Sequence, residues 1–177
     1  MKKEIEIPTN ITVDVKNNCV SVKGPKGSVS KEFKSKVISI KVEGNKVVLE
    51  STNDRRKVLS ILQTTQSIIE NMFSGVQKKY SYTLRGVYSH FPISLAVKGK
   101  TFVISNYLGE KSPRTFEIPD NVDVVIKGKD VIVSSVDKEL AGIVAGLIEN
   151  RAKVLTKDRR IFQDGVYIIS KGVQDEQ

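Results

Sequence analysis

Apolar residues along the chain follow two periods, and the same succession of periods occurs twice. Short runs rich in Val and Ile come first: Ile11–Val15, Cys19–Lys23, Val29–Phe33, Ile38–Glu43 and Lys46–Ser51. Turn-forming residues separate them, namely Asn17-Asn18, Gly24-Pro25-Lys26-Gly27 and Gly44-Asn45. Runs of this length bounded by such pairs predict strands joined by tight hairpins. The spacing then changes. Between Asp54 and Ser74, Val58, Leu59, Ile61, Leu62, Ile68, Ile69, Met72 and Phe73 recur three and four apart, and Val76 continues the stripe. That is the spacing of an amphipathic helix. Asn53 or Asp54 can cap its start and Gly75 suits its stop. Lys79–Leu84 then reads as a strand.

The second half repeats the order. Strands are expected over Ile93–Lys98, Thr101–Ser105, Arg114–Ile118, Val122–Lys127 and Asp130–Ser134, with turns at Gly99-Lys100 and Gly128-Lys129. A helix is expected over Lys138–Val154, with Asp137 as cap and Leu140, Ile143, Val144, Leu147, Ile148 and Val154 as its apolar stripe. Gly165–Ile169 reads as the strand after it. Val42 through Leu49 parallels Ile126 through Val133, and Ile68-Ile69-Glu70-Asn71 parallels Leu147-Ile148-Glu149-Asn150. Val20 through Phe33 parallels Val103 through Phe116. Chance could give one such match but hardly all of them in one order, so the chain reads as a duplicated module. The expected fold is α+β: two similar tandem domains, 1–84 and 85–177, each an antiparallel-rich sheet with one packed helix. At roughly 85 residues each, such cores are small, and an external scaffold would help both.

Charge narrows the range of partners. The chain carries 29 Lys and Arg against 20 Asp and Glu, a net +9. That balance favours an anionic partner, either nucleic acid or a membrane surface, although a merely basic protein would show it too. No apolar stretch reaches the 18 to 20 or so residues that span a bilayer, and no apolar core follows Lys2-Lys3 as in a signal peptide. Neither helix sets a purely basic face opposite its apolar stripe, which argues against a membrane binder.

The single cysteine, Cys19, excludes a disulfide within the chain, and with the single histidine, His90, leaves too few ligands for a zinc site. Cys19 lies in an apolar alternation and is expected to be a small buried hydrophobe. His90 falls in Tyr88-Ser89-His90-Phe91-Pro92, where local packing or hydrogen bonding is a better reading than general base catalysis. Gly24-Pro25-Lys26-Gly27 lacks the spacing of a phosphate loop, and no helix begins there. No metal, cofactor, small-molecule substrate or catalytic residue is expected.

Binding features are stronger. Arg151, Lys153, Lys157, Arg159 and Arg160 fall within ten residues, with Asp158 the only acid among them. Phe162, Gly165 and Tyr167 follow, and Lys171 lies four residues beyond Tyr167. Cations neutralise phosphates, aromatics stack on unpaired bases, and glycine permits close backbone approach. A solvated basic helix end would have the same composition. A second candidate is the loop Asn106-Tyr107-Leu108-Gly109-Glu110-Lys111-Ser112-Pro113-Arg114, with Asn106, Gly109, Lys111 and Arg114 as its contact residues. Net charge alone points elsewhere: residues 1–84 hold 15 bases and 8 acids, residues 85–177 only 14 and 12. The bases of the second half, however, are the clustered ones.

Three stretches resemble a known family: Tyr88-Ser89-His90-Phe91-Pro92-Ile93, Asn106-Tyr107-Leu108-Gly109-Glu110-Lys111, and Lys157-Asp158-Arg159-Arg160-Ile161-Phe162-Gln163-Asp164-Gly165-Val166-Tyr167. All three are similar to ribosomal protein six of the large subunit, in its archaeal and eukaryotic branch; the short chain looks archaeal. The resemblance implies two α+β domains and an rRNA contact made mainly by the second. It implies a cytoplasmic place in the large subunit near the base of the acidic stalk, the sarcin–ricin loop and the translation-factor docking region. Neighbouring ribosomal proteins at the stalk base are the implied protein partners, and a stable homo-oligomer is not expected. A basic protein–protein adaptor is the rival from another class. A small enzyme comes third, for want of any convergent polar constellation.

Overall fold

The first strand, β1 (Lys2–Glu6), escapes the apolar pattern because four of its five residues are charged. Its position explains the composition. It lies at the edge of a sheet, where Lys and Glu discourage pairing with other chains. The computed structural model describes residues 2–16, 18–35, 37–53, 55–155 and 157–173. The chain divides into two units, one ending at Lys79 and the other starting at Tyr80.

In the first unit β1 is followed by β2 (Thr12–Lys16), β3 (Cys19–Gly24), β4 (Gly27–Glu32), β5 (Ile38–Glu43), β6 (Lys46–Ser51) and α1 (Arg56–Gln77). The strands form two antiparallel sheets, β1-β6-β5 and β2-β3-β4. Helix α1 buries Leu62, Ile69, Met72, Phe73 and Val76 as the spacing predicts, but leaves Ile61 exposed. The expected cap and stop are corrected. Arg55 occupies the N-cap without a side-chain hydrogen bond, and Asp54 lies outside the described residues. Gly75 is buried inside the helix, which runs on to Gln77 because its last turn docks on the β3–β4 hairpin. There the Lys26 N–H donates to the Val76 carbonyl at 3.0 Å. A Cβ on Gly24 would stand 2.8 Å from the Val76 side chain, so that contact requires glycine. Cys19 is only half-buried.

The second unit contains β7 (Tyr80–Val87), β8 (Ser94–Lys98), β9 (Thr101–Ser105), β10 (Arg114–Glu117), β11 (Val122–Lys127), β12 (Asp130–Ser135), α2 (Lys138–Arg151) and β13 (Gly165–Val173). Its sheets are β10-β9-β8 and β11-β12-β7-β13. Each unit thus divides its strands between two sheets, where the sequence suggested one. In the second unit both sheets and the helix share one core: Phe102, Ile104 and Phe116 meet Leu84, Val131, Val133, Val144, Ala145 and Ile148.

The duplication has a different phase from the one the sequence suggested. Strand β1 pairs antiparallel with β6, and β7 pairs antiparallel with β12. Strand β7, expected over Lys79–Leu84 as the end of the first repeat, is therefore the opening strand of the second. The boundary moves from 84/85 to 79/80. The counterpart of β1 is β7, and β13 is the added strand, pairing on the other edge of β7.

Helix α2 keeps its expected cap but not its expected buried face. Asp137 caps it as expected, accepting from the Glu139 N–H at 2.8 Å. Its buried stripe, however, is Ala141, Val144, Ala145 and Ile148. Ile143 is 56% exposed and Leu147 36%. Both were expected in the core. The buried face is displaced by a fraction of a turn from the expected one and takes in the small Ala141 and Ala145. Val154 is buried but lies beyond the helix end at Arg151.

Candidate nucleic-acid interface

Most of the expected contact residues of the second unit are gathered at one end of it by three braces. The first is Arg114. Its Nε and Nη2 donate to the Glu110 carboxylate, and its Nη1 donates to the carbonyls of Arg151 and Lys153 at 2.7 and 3.0 Å. The guanidinium also lies 4.1 Å from the centre of the Tyr107 ring. These hydrogen bonds hold the Glu110 carboxyl below its ordinary pKa. Arg114 therefore ties the 106–114 loop to the C-terminal end of α2, satisfying carbonyls that a helix end leaves unpaired. The sequence offered it as an RNA ligand, but four of its five N–H donors are already used inside the protein.

The second brace is Tyr107. It is buried, and its hydroxyl donates to the Asp164 carbonyl at 2.9 Å. Burial pushes its pKa up to about 12, with the Arg114 charge opposing, so the hydroxyl remains a donor. The loop around it is tight: Asn106, Leu108 and Gly109 all have positive φ. Asn106 tolerates this conformation and also donates its side-chain amide to the Pro92 carbonyl.

The third brace, Asp164, is 1% exposed. Its carboxylate accepts from the Ser89 N–H and hydroxyl and from the His90 N–H, and meets His90 Nδ1 at 3.0 Å. Burial alone would raise its pKa. The hydrogen bonds from His90 and Ser89 outweigh burial and bring it to about 2. Ser, His and Asp meet here, but not as a nucleophilic relay. Such a relay needs the hydroxyl on the ring nitrogen remote from the carboxylate. Here Ser89 Oγ and His90 Nδ1 both contact the same carboxylate oxygen. Among the described residues no group of three metal-ligating side chains assembles either.

Around these braces lie the cations. Lys111, Arg151, Lys153, Lys157, Arg159 and Arg160 are all exposed. Lys157 sits 4.5 Å from the centre of the Phe162 ring, which also stacks on His90 at 4.7 Å. Phe162 is thus engaged within the protein, and of the two Tyr167 is the exposed one. Asp158 turns the loop, accepting from the Arg160 N–H at 2.9 Å. Gly165 is buried because a Cβ there would come within 3.1 Å of both the Ala152 carbonyl and the Tyr167 ring. Its role is close packing. Lys171 does not join the group. A register shift between Ile168 and Ser170 inserts a residue, so Tyr167 pairs with Arg85 but Lys171 pairs with Tyr82, which faces α2. Without that bulge the two would share a face.

A cleft of about 170 Å³ opens among Glu149, Asn150, Ala152, Lys153, Val154, Arg159, Val166 and Tyr167. It unites three expected residues, Lys153, Arg159 and Tyr167, with two that sequence reasoning passed over, Glu149 and Asn150. Asp164 and Ser89 were also missed as organisers; the only signal was their place within the quoted motifs.

The family model for ribosomal protein L6 matches residues 7–79 and 91–165. The chain is 42% identical over 174 residues to the large ribosomal subunit protein uL6 of Saccharolobus solfataricus, covering 98% of this chain and 96% of that one. It is 42% identical over 171 residues to uL6 of Methanococcus vannielii, covering 97% and 94%. The chain belongs to the ribosomal protein L6 family. The archaeal relatives support the archaeal branch. The two L6 segments fall in the two structural units, in keeping with the duplication. The second L6 segment takes in the 106–114 loop, the end of α2 and the 157–164 loop. Ser89, His90, Tyr167 and Lys171 lie outside it.

Proposed function

We propose that this chain is a non-catalytic structural constituent of the large ribosomal subunit in the cytoplasm, and that it holds large-subunit, 23S-type rRNA against the braced end of its second unit. One observation carries the choice of site. The side chains of Lys111, Arg151, Lys153, Arg159 and Arg160 make no hydrogen bond or ion pair among the described residues, although internally satisfied braces surround them. Cations without internal partners remain free to replace counterions along a phosphate backbone. The first unit is more basic, and Lys16, Lys23, Lys34, Arg55, Arg56 and Lys57 likewise lack side-chain partners among the described residues, but they are spread over β2, β3, the segment after β4 and the start of α1, while Lys2, Lys41 and Lys46 form ion pairs with Glu43, Glu50 and Glu4.

Contact residues in this reading are Asn106, Gly109, Lys111, Arg151, Lys153, Lys157, Arg159, Arg160 and Tyr167, with Arg114 and Gly165 shaping the surface they share. The family resemblance supports a place near the base of the acidic stalk, the sarcin–ricin loop and the factor-docking region, beside neighbouring ribosomal proteins. Replacing Arg159 and Arg160 together with Ala tests the site. The variant should bind large-subunit rRNA more weakly while melting as the parent does; unchanged affinity would move the contact elsewhere. Nuclease digestion separates this reading from a basic adaptor, since only the rRNA-bound protein would leave its complex.

A further inference from the structure

The cleft beside the end of α2 has the makeup of a site for one planar heterocycle. Ala152, Val154 and Val166 back it and are almost wholly buried, so the surface it offers is mostly polar. Its wall is the Tyr167 ring, fixed by a hydroxyl that donates to the Gln163 carbonyl at 2.9 Å and by contact with Gly165. Its rim carries a carboxylate, an amide and two cations: Glu149, Asn150, Lys153 and Arg159. None of these four side chains has a hydrogen-bond or ion-pair partner among the described residues. Glu149 makes no ion pair although Lys153 and Arg159 line the same cleft. An aromatic wall fixed in advance and several unspent polar groups around one small cleft are parts of a base-binding site. At about 170 Å³ the space suits a single ring system, not a whole nucleotide.

We infer that this cleft takes one unpaired guanine of an RNA strand. The inference rests on the RNA-binding reading above and adds a specific contact to it. A carboxylate is an acceptor with two oxygens, and guanine alone among the bases presents two adjacent N–H donors on its Watson–Crick edge. Glu149 meets those donors, Asn150 donates to the neighbouring carbonyl oxygen, Tyr167 stacks on the ring, and Lys153 and Arg159 hold the flanking phosphates. This gives the acidic Glu149 a role within a surface that otherwise attracts polyanions.

The test uses the full chain and end-labelled pentanucleotides of uridine whose central residue is guanosine, adenosine or cytidine, read by fluorescence anisotropy. The guanosine strand should bind on the order of tenfold more tightly than the other two, the discrimination one bidentate pair supplies. Glu149→Gln should level the three affinities while melting like the parent, and Tyr167→Ala should weaken all three. Equal affinities in the parent, or a guanosine preference that survives Glu149→Gln, would overturn the inference. Displacement of the strand by free guanosine monophosphate at matched concentration would overturn it too, making the occupant a free nucleotide. Steep salt-dependent binding to large-subunit rRNA without base preference would sink the cleft alone. Absence of any RNA binding would sink the wider reading with it.

Discussion

Asp164 and His90 stand 74 residues apart in sequence and are joined twice, through the His90 N–H at 3.2 Å and the ring Nδ1 at 3.0 Å. The buried carboxylate thereby fixes the start of β13 to the segment after β7. With its carbonyl held by Tyr107, the same residue ties three stretches of chain together.

This arrangement has a pH signature. The folded-state pKa of Asp164 is lowered to about 2, below its ordinary value of 3.8. Its contribution to stability is therefore complete above pH 4 or so and is lost as the pH falls through about 2. Asp164→Asn should destabilise the chain by about 1–3 kcal/mol at neutral pH. It should also flatten the dependence of urea stability on pH between about 4 and 2. An unflattened dependence would assign acid sensitivity to another carboxylate.

Arg114 should behave as a brace, unlike the exposed arginines. Arg114→Lys keeps the charge but cannot reach Glu110 and two carbonyls together. We expect it to lose most of what Arg114→Ala loses, about 2–3 kcal/mol in denaturant titration. Arg160→Ala should leave the midpoint within about 0.5 kcal/mol of the parent. Equal tolerance at both positions would contradict the brace.

Gly24 and Gly44 separate crowding from backbone strain. An added methyl at Gly24 meets Val76 at 2.8 Å, whereas at Gly44, with φ +61°, it meets nothing within 4 Å. Gly24→Ala should cost about 1–3 kcal/mol by displacing the end of α1. Gly44→Ala should cost about 1 kcal/mol from its left-handed backbone. Thermal melts of the two variants give the comparison.

On α2, neighbouring residues should differ sharply. Ile143→Asp, at an exposed position, should shift stability by less than about 1 kcal/mol. Val144→Asp places an unpaired charge in the core and should cost more than about 3 kcal/mol. Comparable losses would mean that Ile143 is covered in solution.

Most elements were legible because their signals are local. The Gly44-Asn45 and Gly128-Lys129 hairpins and the Asp137 cap each depend on residues within a few positions of one another. What stayed hidden depends on distant partners. A strand reads alike whether it closes one repeat or opens the next, and its pairing with β12 and β13 is what assigns β7 to the second unit. Apolar spacing placed Ile143 in the core, but Ala141 and Ala145 take the buried positions and Ile143 lies outside. At the proposed interface, cationic clustering singled out the stretch from Arg151 to Arg160. It could not separate Arg114 from Arg159, because the carbonyls that occupy Arg114 lie 37 and 39 residues away. Nor could it foresee the bulge that parts Lys171 from Tyr167.

The most direct measurement is the salt dependence of affinity for large-subunit rRNA, made on the parent and on the Arg159→Ala, Arg160→Ala double variant. With about five phosphates neutralised, the log–log slope of the parent should be roughly −3.5 to −4.5. The double variant should be shallower by about 1.4–1.8, the share of two phosphate contacts. Identical slopes for the two proteins, or an affinity indifferent to salt, would contradict an interface built on these cations.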